Sequence, residues 1–199
     1  KGDIRQRLKE FEGIGKSSQR TVFAELCFCL CTPQSKAVTC NKAINDMIIR
    51  GTLYEGGKDK VLKSLDGIRF KNTKAGRIID ARELFTDPDG KMRIKDRIDR
   101  EHIQGTRDWL VNNIKGMGYK EASHFLRNIG LGKEVAILDR HILRNLKSLG
   151  VIDDVPKTLT KKKYMEIEDR MKRFAGAIGI PLIELDLLLW SQETGHVFK

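Results

Sequence analysis

Apolar residues recur at spacings of three and four along most of the chain, and this periodicity restricts the fold more than any other feature of the sequence. Between positions 34 and 49, for example, one helix face would collect Val38, Ala43, Ile44, Met47 and Ile48. Runs of alternating β-branched residues, which would indicate strands, are almost absent. The pattern therefore predicts an all-α protein.

Glycine and proline divide the periodic segments, and the strongest break is the turn sequence at positions 87–90. The segments between the breaks predict helices over 20–31, 34–49, 58–65, 71–85, 103–113, 120–129, 140–149, 160–177 and 181–194. A length of 199 residues suits one domain, or one continuous body in two helical lobes over 1–199. No internal repeat or low-complexity segment interrupts it.

The charge of the chain favours a polyanionic partner. Lys and Arg number 38 against 27 Asp and Glu, which leaves a formal charge of +11, and nucleic acid is the leading candidate for such a surface. A surface that is merely soluble is the alternative. No apolar run approaches the ~20 residues of a membrane span, and the first residues lack the apolar region of a signal peptide. We therefore expect an intracellular protein of the cytoplasm or nucleoid, without membrane contact.

The cysteines and histidines do not form a metal-binding pattern. All four cysteines fall in one apolar stretch, which is typical of small core residues rather than a disulfide framework. No C-x-x-C pair occurs, and the four histidines have no ligand spacing. We expect no metal site.

The segment 113–123, Asn-Ile-Lys-Gly-Met-Gly-Tyr-Lys-Glu-Ala-Ser, has the signature of a helix-hairpin-helix motif. Gly116 and Gly118 can adopt backbone angles that other residues resist, which leaves amide groups bare enough to approach a phosphate. The helix that follows would direct its positive N-terminal end at the same anion. An ordinary turn between two helices is the alternative.

The flanks of the hairpin carry a family resemblance. Lys120 follows the hairpin directly, and Asp139 lies nineteen positions later within Ala-Ile-Leu-Asp-Arg-His. Lysine and aspartate at this separation resemble the bifunctional members of the helix-hairpin-helix DNA glycosylase superfamily. The stretch 118–128, Gly-Tyr-Lys-Glu-Ala-Ser-His-Phe-Leu-Arg-Asn, is similar to the archaeal-type 8-oxoguanine DNA glycosylase/AP lyase branch. The segments 30–35, 41–43, 185–190 and 194–199 extend the resemblance, while the iron–sulfur cysteines of the endonuclease III branch are absent.

This resemblance implies a two-lobed helical fold with the active site in the cleft between the lobes. It also implies a base-excision-repair enzyme that removes 8-oxoguanine from double-stranded DNA and cleaves the abasic site by β-elimination. We expect a monomer that needs no cofactor, although the hairpin could hold a monovalent cation. Two alternatives stay open: a glycosylase of this superfamily for oxidised pyrimidines or mismatches, and a non-catalytic helix-hairpin-helix DNA-binding protein.

Lys120 and Asp139 are the candidate catalytic residues. A neutral lysine amine can attack the sugar C1′ and form a Schiff base, while a carboxylate nearby would stabilise the developing positive charge. The alternative for Lys120 is a solvated surface lysine. Asp139 could instead, or in addition, cap the helix that begins at Arg140.

A base in a duplex must be flipped out before it can react, and aromatic side chains would hold it. The resemblance assigns this role to Phe70 and Trp190, for which core packing is the alternative. His124 lies one helical turn after Lys120 on the same face, where it could line the pocket or pack. Gln34 would lie against the DNA or fill the gap left in the duplex, or else be an ordinary polar residue at a helix start. His141 would approach a phosphate or be partly buried.

Lys199 is the candidate that reads the flipped base. A terminal carboxylate accepts two hydrogen bonds, and guanine-type bases present two donors, N1–H and the exocyclic amine. In the branch that the chain resembles, the terminal lysine has this association. A frayed, solvated terminus is the alternative.

Overall fold

The computed structural model describes residues 2–195, 197 and 199, except for the side chains of Glu193 and Thr194. This part of the chain contains eleven α-helices: α1 (Gly2–Lys16), α2 (Gln19–Cys31), α3 (Ala37–Ile49), α4 (Thr52–Glu55), α5 (Lys58–Ser64), α6 (Lys71–Phe85), α7 (Ile103–Asn113), α8 (Tyr119–Asn128), α9 (Arg140–Ser148), α10 (Lys161–Ala177) and α11 (Leu182–Thr194). A 3-10 turn covers Ile94–Arg97. Within the described residues there is no strand, only an isolated bridge between Thr86 and Met92, so the predicted all-α fold is confirmed.

Most predicted helices agree with the structure to within one residue at each end, and α6 and α7 agree at both ends. The helix predicted from Gln34 is wrong in its start, since α3 begins at Ala37. Residues 32–35 form a turn instead, closed by the Ser35 N–H donating to the Thr32 carbonyl. The sequence prediction also missed α1, in which Ile4, Phe11 and Gly15 are the buried residues, because so sparse a buried face gives a weak periodic signal.

The chain divides into two compact units, a central unit of Lys16–Phe125 and a terminal unit that combines the residues up to Gly15 with Leu126–Lys199. In the central unit, α2 is buried on every side, from Val22 to Cys31, as expected for an apolar helix surrounded by others. Helices α3 and α6 pack against it. The four cysteines are buried and none of them is in a disulfide, and burial raises the pKa of the Cys31 thiol to about 12. The prediction of core cysteines is confirmed.

The terminal unit is built on α1, α9, α10 and α11. Ile4 and Phe11 of α1 form a cluster with Leu187 of α11, and α9 and α10 both pack against α11. The Arg127 guanidinium lies 5.2 Å from the ring centre of Phe11. This unit therefore has a core of its own.

No single helix in the described part of the chain is long and apolar enough to cross a membrane. Helices α10 and α11 are long and apolar enough for this only when taken together, and the two helices are bent by 96° with respect to each other.

Candidate active site

The predicted hairpin lies between α7 and α8. The Met117 N–H donates to the Ile114 carbonyl across 3.1 Å and closes the turn. Gly116 has a φ of +82°, where a side chain is strained, and a Cβ there would collide with the guanidinium of Arg77. The flexible guanidinium can move aside, so the backbone angle is what requires glycine at this position.

Glu121, itself a residue of α8, caps the start of this helix. Its Oε2 accepts a hydrogen bond from the Gly118 N–H at 3.2 Å, which is the carboxylate half of a capping box. Its Oε1 lies 3.7 Å from the Nζ of Lys120. The Gly118 amide, which the sequence predicted to be bare for a phosphate, thus donates to this carboxylate.

Lys120 stands in the first turn of α8, and its side chain is only 25% exposed. It is therefore not the fully solvated surface lysine of the alternative prediction. The positive charge of Lys120 affects the pKa values of two buried groups of the central unit, Lys74 and Cys40. Burial lowers the pKa of Lys74, and the charge of Lys120 acts in the same direction. Burial raises the pKa of the Cys40 thiol, which Lys74 and Lys120 oppose.

Helix α8 is anchored to α7 by polar contacts. The Arg107 side chain is fully buried and donates to Ser123 Oγ across 3.0 Å. The Tyr119 hydroxyl donates to the Asp108 carboxylate across 2.6 Å, and the Arg107 guanidinium lies over the Tyr119 ring. These contacts lie around Lys120 in sequence and give its helix a fixed position on α7.

Asp139 is the N-cap of α9, as predicted. Its Oδ1 accepts from the Ile142 N–H at 2.8 Å, so the capping prediction is confirmed. The extended chain before it is held by buried groups of α10. The Tyr164 hydroxyl donates to the Ala136 carbonyl at 2.6 Å and accepts from the Leu138 N–H at 3.2 Å. Glu168 accepts from the Ala136 N–H at 2.7 Å.

Asp186 of α11 adds a carboxylate to this region. It accepts a hydrogen bond from the Ile137 backbone and pairs with Arg127 across 2.7 Å. Burial raises the pKa of Asp186 above its ordinary value; Arg127 acts in the opposite direction, and the charge of Asp139 adds to the rise. The two carboxylates are therefore close enough to interact, and Arg127 balances one of them.

Gln34 and Phe70 share an unusual backbone. Their φ angles are +55° and +59°, and among the described residues they alone have a positive φ without being glycine. Gln34 is exposed, and Phe70 is 55% exposed with the guanidinium of Arg69 over its ring. The core-packing alternative is therefore wrong for Phe70, and the helix-start alternative is wrong for Gln34.

The remaining predicted residues differ in their surroundings. His124 is buried, with its ring edge-on to Phe28 at 5.7 Å, so it packs inside the central unit. His141 is exposed, which excludes the partly buried alternative, while Trp190 and Lys199 are half-buried. Their neighbours His196 and Phe198 lie outside the described residues.

The candidates belong to different units. The central unit contains Gln34, Phe70, Gly116, Gly118, Lys120 and His124, and the terminal unit contains Asp139, His141, Trp190 and Lys199. Two further residues were not predicted. Glu121 could have been found as the third helical residue of a capping box, whereas nothing local distinguishes Lys74 from a surface lysine.

Over the described positions, no group of three or more metal-binding side chains comes together.

An all-helical fold with a glycine hairpin that leads directly into a lysine-bearing helix is the arrangement expected of a helix-hairpin-helix DNA glycosylase. Solved structures share this fold. The 8-oxoguanine glycosylase/lyase of Methanocaldococcus jannaschii, in complex with DNA containing 8-oxoguanine, matches with a TM-score of 0.87 and 38% identity, over 98% of this chain and 91% of that one. The 8-oxoguanine DNA glycosylase of Thermotoga maritima matches with a TM-score of 0.86 and 34% identity, over the same shares.

Sequence comparison agrees with the structural one. A protein of Fusobacterium nucleatum named 8-oxoguanine DNA glycosylase/AP lyase is 46% identical over 98% of this chain and 91% of its own length. The family model described as 8-oxoguanine DNA glycosylase matches residues 4–180. The chain belongs to the 8-oxoguanine DNA glycosylase family, which confirms the predicted resemblance.

Proposed function

We propose that this protein removes 8-oxoguanine from DNA and then cleaves the abasic site. The observation that carries this proposal is the position of Lys120, directly behind the hairpin in the first turn of α8, in a chain whose relatives are named 8-oxoguanine DNA glycosylase/AP lyase. Lysine is the one residue type among the candidates that can form a Schiff base with a sugar carbon.

The reaction begins with the neutral amine of Lys120. Its Nζ forms a bond to C1′ while the bond from C1′ to N9 of the base breaks, and the electron pair leaves with the base, which takes up a proton. The bond from C1′ to O4′ then breaks and O4′ is protonated, which gives the Schiff base. Loss of the C2′ proton expels the 3′ phosphate. Water finally hydrolyses the imine and restores the amine.

Asp139 supports this reaction as a fixed negative charge. Positive charge develops on the sugar as the base departs, and a preorganised carboxylate stabilises it. The hydrogen bond to Ile142 holds the Asp139 carboxylate in one orientation. Tyr164 and Glu168 fix the backbone before it, so the carboxylate does not have to reorganise during the reaction.

The exposed residues of the central unit suit contact with a distorted duplex. Phe70 presents an aromatic ring that would stack on the extruded base together with Trp190, and Gln34 presents an amide for the gap left by that base. If the natural chain ends at Lys199, the terminal carboxylate would read the Watson–Crick edge of the base. His141 is exposed on the first turn of α9, where it would reach a phosphate of the same strand.

The hairpin would bind the DNA backbone, and Glu121 would have to release the Gly118 amide to a phosphate for that amide to take part. The same backbone groups would hold a monovalent cation at the hairpin. We expect a monomer that acts on chromosomal DNA in the nucleoid.

Borohydride trapping tests the proposal. Wild-type protein should excise 8-oxoguanine from a duplex and form a covalent adduct on reduction, and Lys120→Gln should lose both while still binding the duplex. Lys162→Gln, an exposed lysine on α10, is the matched control and should trap normally. If the wild-type protein excises oxidised pyrimidines or mismatched bases instead, it is a glycosylase of the same superfamily with a different substrate. A wild type that binds but never traps would overturn the catalytic proposal.

A further inference from the structure

Lys74 is a buried lysine that the reaction described above does not use. It lies in the first turns of α6, and only 1% of its surface is exposed. Burying an ammonium group is costly unless each of its donors finds an acceptor. The surroundings of this amine therefore indicate what it does.

All three donors of the Lys74 ammonium have partners. Its Nζ donates to the carbonyls of Cys31 and Pro33, each at 2.7 Å, and to Ser35 Oγ at 3.0 Å. The Cys31 carbonyl is at the C-terminal end of α2, where a cation is favoured by the helix dipole. Because Pro33 and Ser35 flank Gln34, the amine holds the turn on both sides of that residue.

The same network reaches Phe70 through Ser35. The Ser35 Oγ accepts from the Arg69 N–H at 3.1 Å and from the Lys74 ammonium at 3.0 Å. The Lys74 backbone N–H also donates to the Phe70 carbonyl across 3.0 Å, but this is an ordinary helix bond that does not depend on the lysine side chain. Gln34 and Phe70 are thus joined through two residues, Lys74 and Ser35.

Both joined residues have strained backbones. A positive φ costs roughly 1 kcal/mol or more in a residue other than glycine and persists only where surrounding contacts impose it. Gln34 and Phe70 are the two described residues in that state, and the same network holds both while leaving both side chains exposed.

We infer that Lys74 is a positioning residue that, with Ser35, fixes the turns of Gln34 and Phe70 relative to each other, so that Gln34 fills the gap in the duplex while Phe70 stacks on the extruded base. This inference rests on the proposed function, since it assigns Gln34 to the gap and Phe70 to the extruded base. It predicts that loss of the lysine impairs extrusion of the base, while the chemistry of Lys120 on an already accessible sugar is affected much less.

The test compares Lys74→Met with Lys95→Met. Lys95 is a second lysine of the central unit whose amine donates to a backbone carbonyl, that of Ser17 at 2.7 Å, so it is the matched control. Lys74→Met should slow single-turnover excision of 8-oxoguanine from a duplex by about tenfold or more, because small displacements of positioning groups have effects of this size. Cleavage of an abasic site in single-stranded DNA should fall much less, because this substrate needs no extrusion of a base, and Lys95→Met should match wild type in both assays.

Two further measurements separate positioning from a general loss of structure. Ser35→Ala keeps the buried amine and should give a smaller loss in the same direction, so it decides the question if Lys74→Met does not fold. In a Gln34→Ala/Phe70→Ala background, adding Lys74→Met or Ser35→Ala should cause no further loss of duplex excision, because Lys74 and Ser35 are inferred to act through those two side chains. Additive losses in that background would overturn the inference. Duplex excision at the wild-type rate in the single variants Lys74→Met and Ser35→Ala would also overturn it.

Extrusion can also be read without chemistry, from the fluorescence of 2-aminopurine placed beside the lesion. The signal should fall in Lys74→Met and stay normal in Lys95→Met. A wild type that extrudes the base but does not excise it would contradict the proposed function and leave this inference standing, whereas normal extrusion in Lys74→Met would overturn the inference alone.

Discussion

Arg127 and Asp186 form a buried ion pair that joins α8 to α11 within the terminal unit. The Nη1 of Arg127 lies 2.7 Å from the Oδ2 of Asp186, and the two side chains are only 6% and 4% exposed. Asp186 also accepts from the Ile137 backbone, two residues before Asp139. The carboxylate that balances Arg127 therefore also fixes the chain that leads to the candidate catalytic aspartate.

Asp186→Ala should be strongly destabilising, because it leaves a buried guanidinium without its counter-charge. Breaking one side of a buried pair typically costs about 3–5 kcal/mol, and urea unfolding followed by circular dichroism measures this free energy. Asp154, whose pair with Lys147 is exposed, provides the control, and Asp154→Ala should unfold like wild type. Equal midpoints for the two variants would show that the buried pair contributes nothing.

Asp139→Asn should separate the chemical role of this residue from its structural one. Asparagine caps a helix about as well as aspartate, so the unfolding free energy should be the same as that of the wild type. The excision rate should fall by about 100-fold or more, because the fixed charge near the developing cation is lost. Asp139→Ala should lose the cap as well, at about 1 kcal/mol. Normal turnover in Asp139→Asn would show that this residue acts only as the N-cap of α9.

Glu121→Ala should change stability and DNA binding in opposite directions. Loss of the contact to the Gly118 amide removes a capping interaction and should lower the unfolding free energy by about 1 kcal/mol. The same change frees that amide and removes a negative charge beside the proposed phosphate site, so duplex binding should become tighter. Fluorescence anisotropy at a fixed salt concentration measures the second effect. Weaker binding would mean that Glu121 shapes the hairpin rather than competing with phosphate.

Gly116→Ala should weaken binding to damaged and undamaged duplex by the same factor, because the hairpin is proposed to contact the backbone rather than the base. The positive φ makes a side chain unfavourable by roughly 1 kcal/mol at this position. Gly13→Ala is the control, since no atom lies within 4 Å of a Cβ at that helical glycine. Binding should also fall steeply with salt. A defect confined to lesion-containing duplex would place the hairpin at the base instead.

If the natural chain ends at Lys199, removal of this residue should impair excision of 8-oxoguanine far more than cleavage of an abasic site, because an abasic site presents no base to read. The guanine-type edge offers two donors to a terminal carboxylate, and the half-buried position of Lys199 is compatible with such a role. Single-turnover rates on the two substrates provide the comparison. Equal loss of both activities would indicate damaged folding, and unchanged excision would refute the role of selector.

Local signals were sufficient for the hairpin and for most of the helices, but not for α1, for α4 or for the start of α3. Periodic apolar residues and glycine or proline breaks act over a few positions, which is why α6 and α7 could be predicted to the residue. Asp139 was likewise readable as a cap, because capping depends on the next three residues alone. Lys120 was identified from its place behind the hairpin and from the resemblance of its flanks.

Tertiary structure decided what surrounds these residues. Lys74 reaches the Cys31 carbonyl across 43 positions, and Arg127 reaches Asp186 across 59; no local pattern distinguishes either basic residue from the many solvated ones in a chain of charge +11. The left-handed backbones of Gln34 and Phe70 are equally invisible in sequence, since neither residue prefers that conformation. Such states exist only because packed helices supply the hydrogen bonds that offset the desolvation of the amine and the strain of the turns.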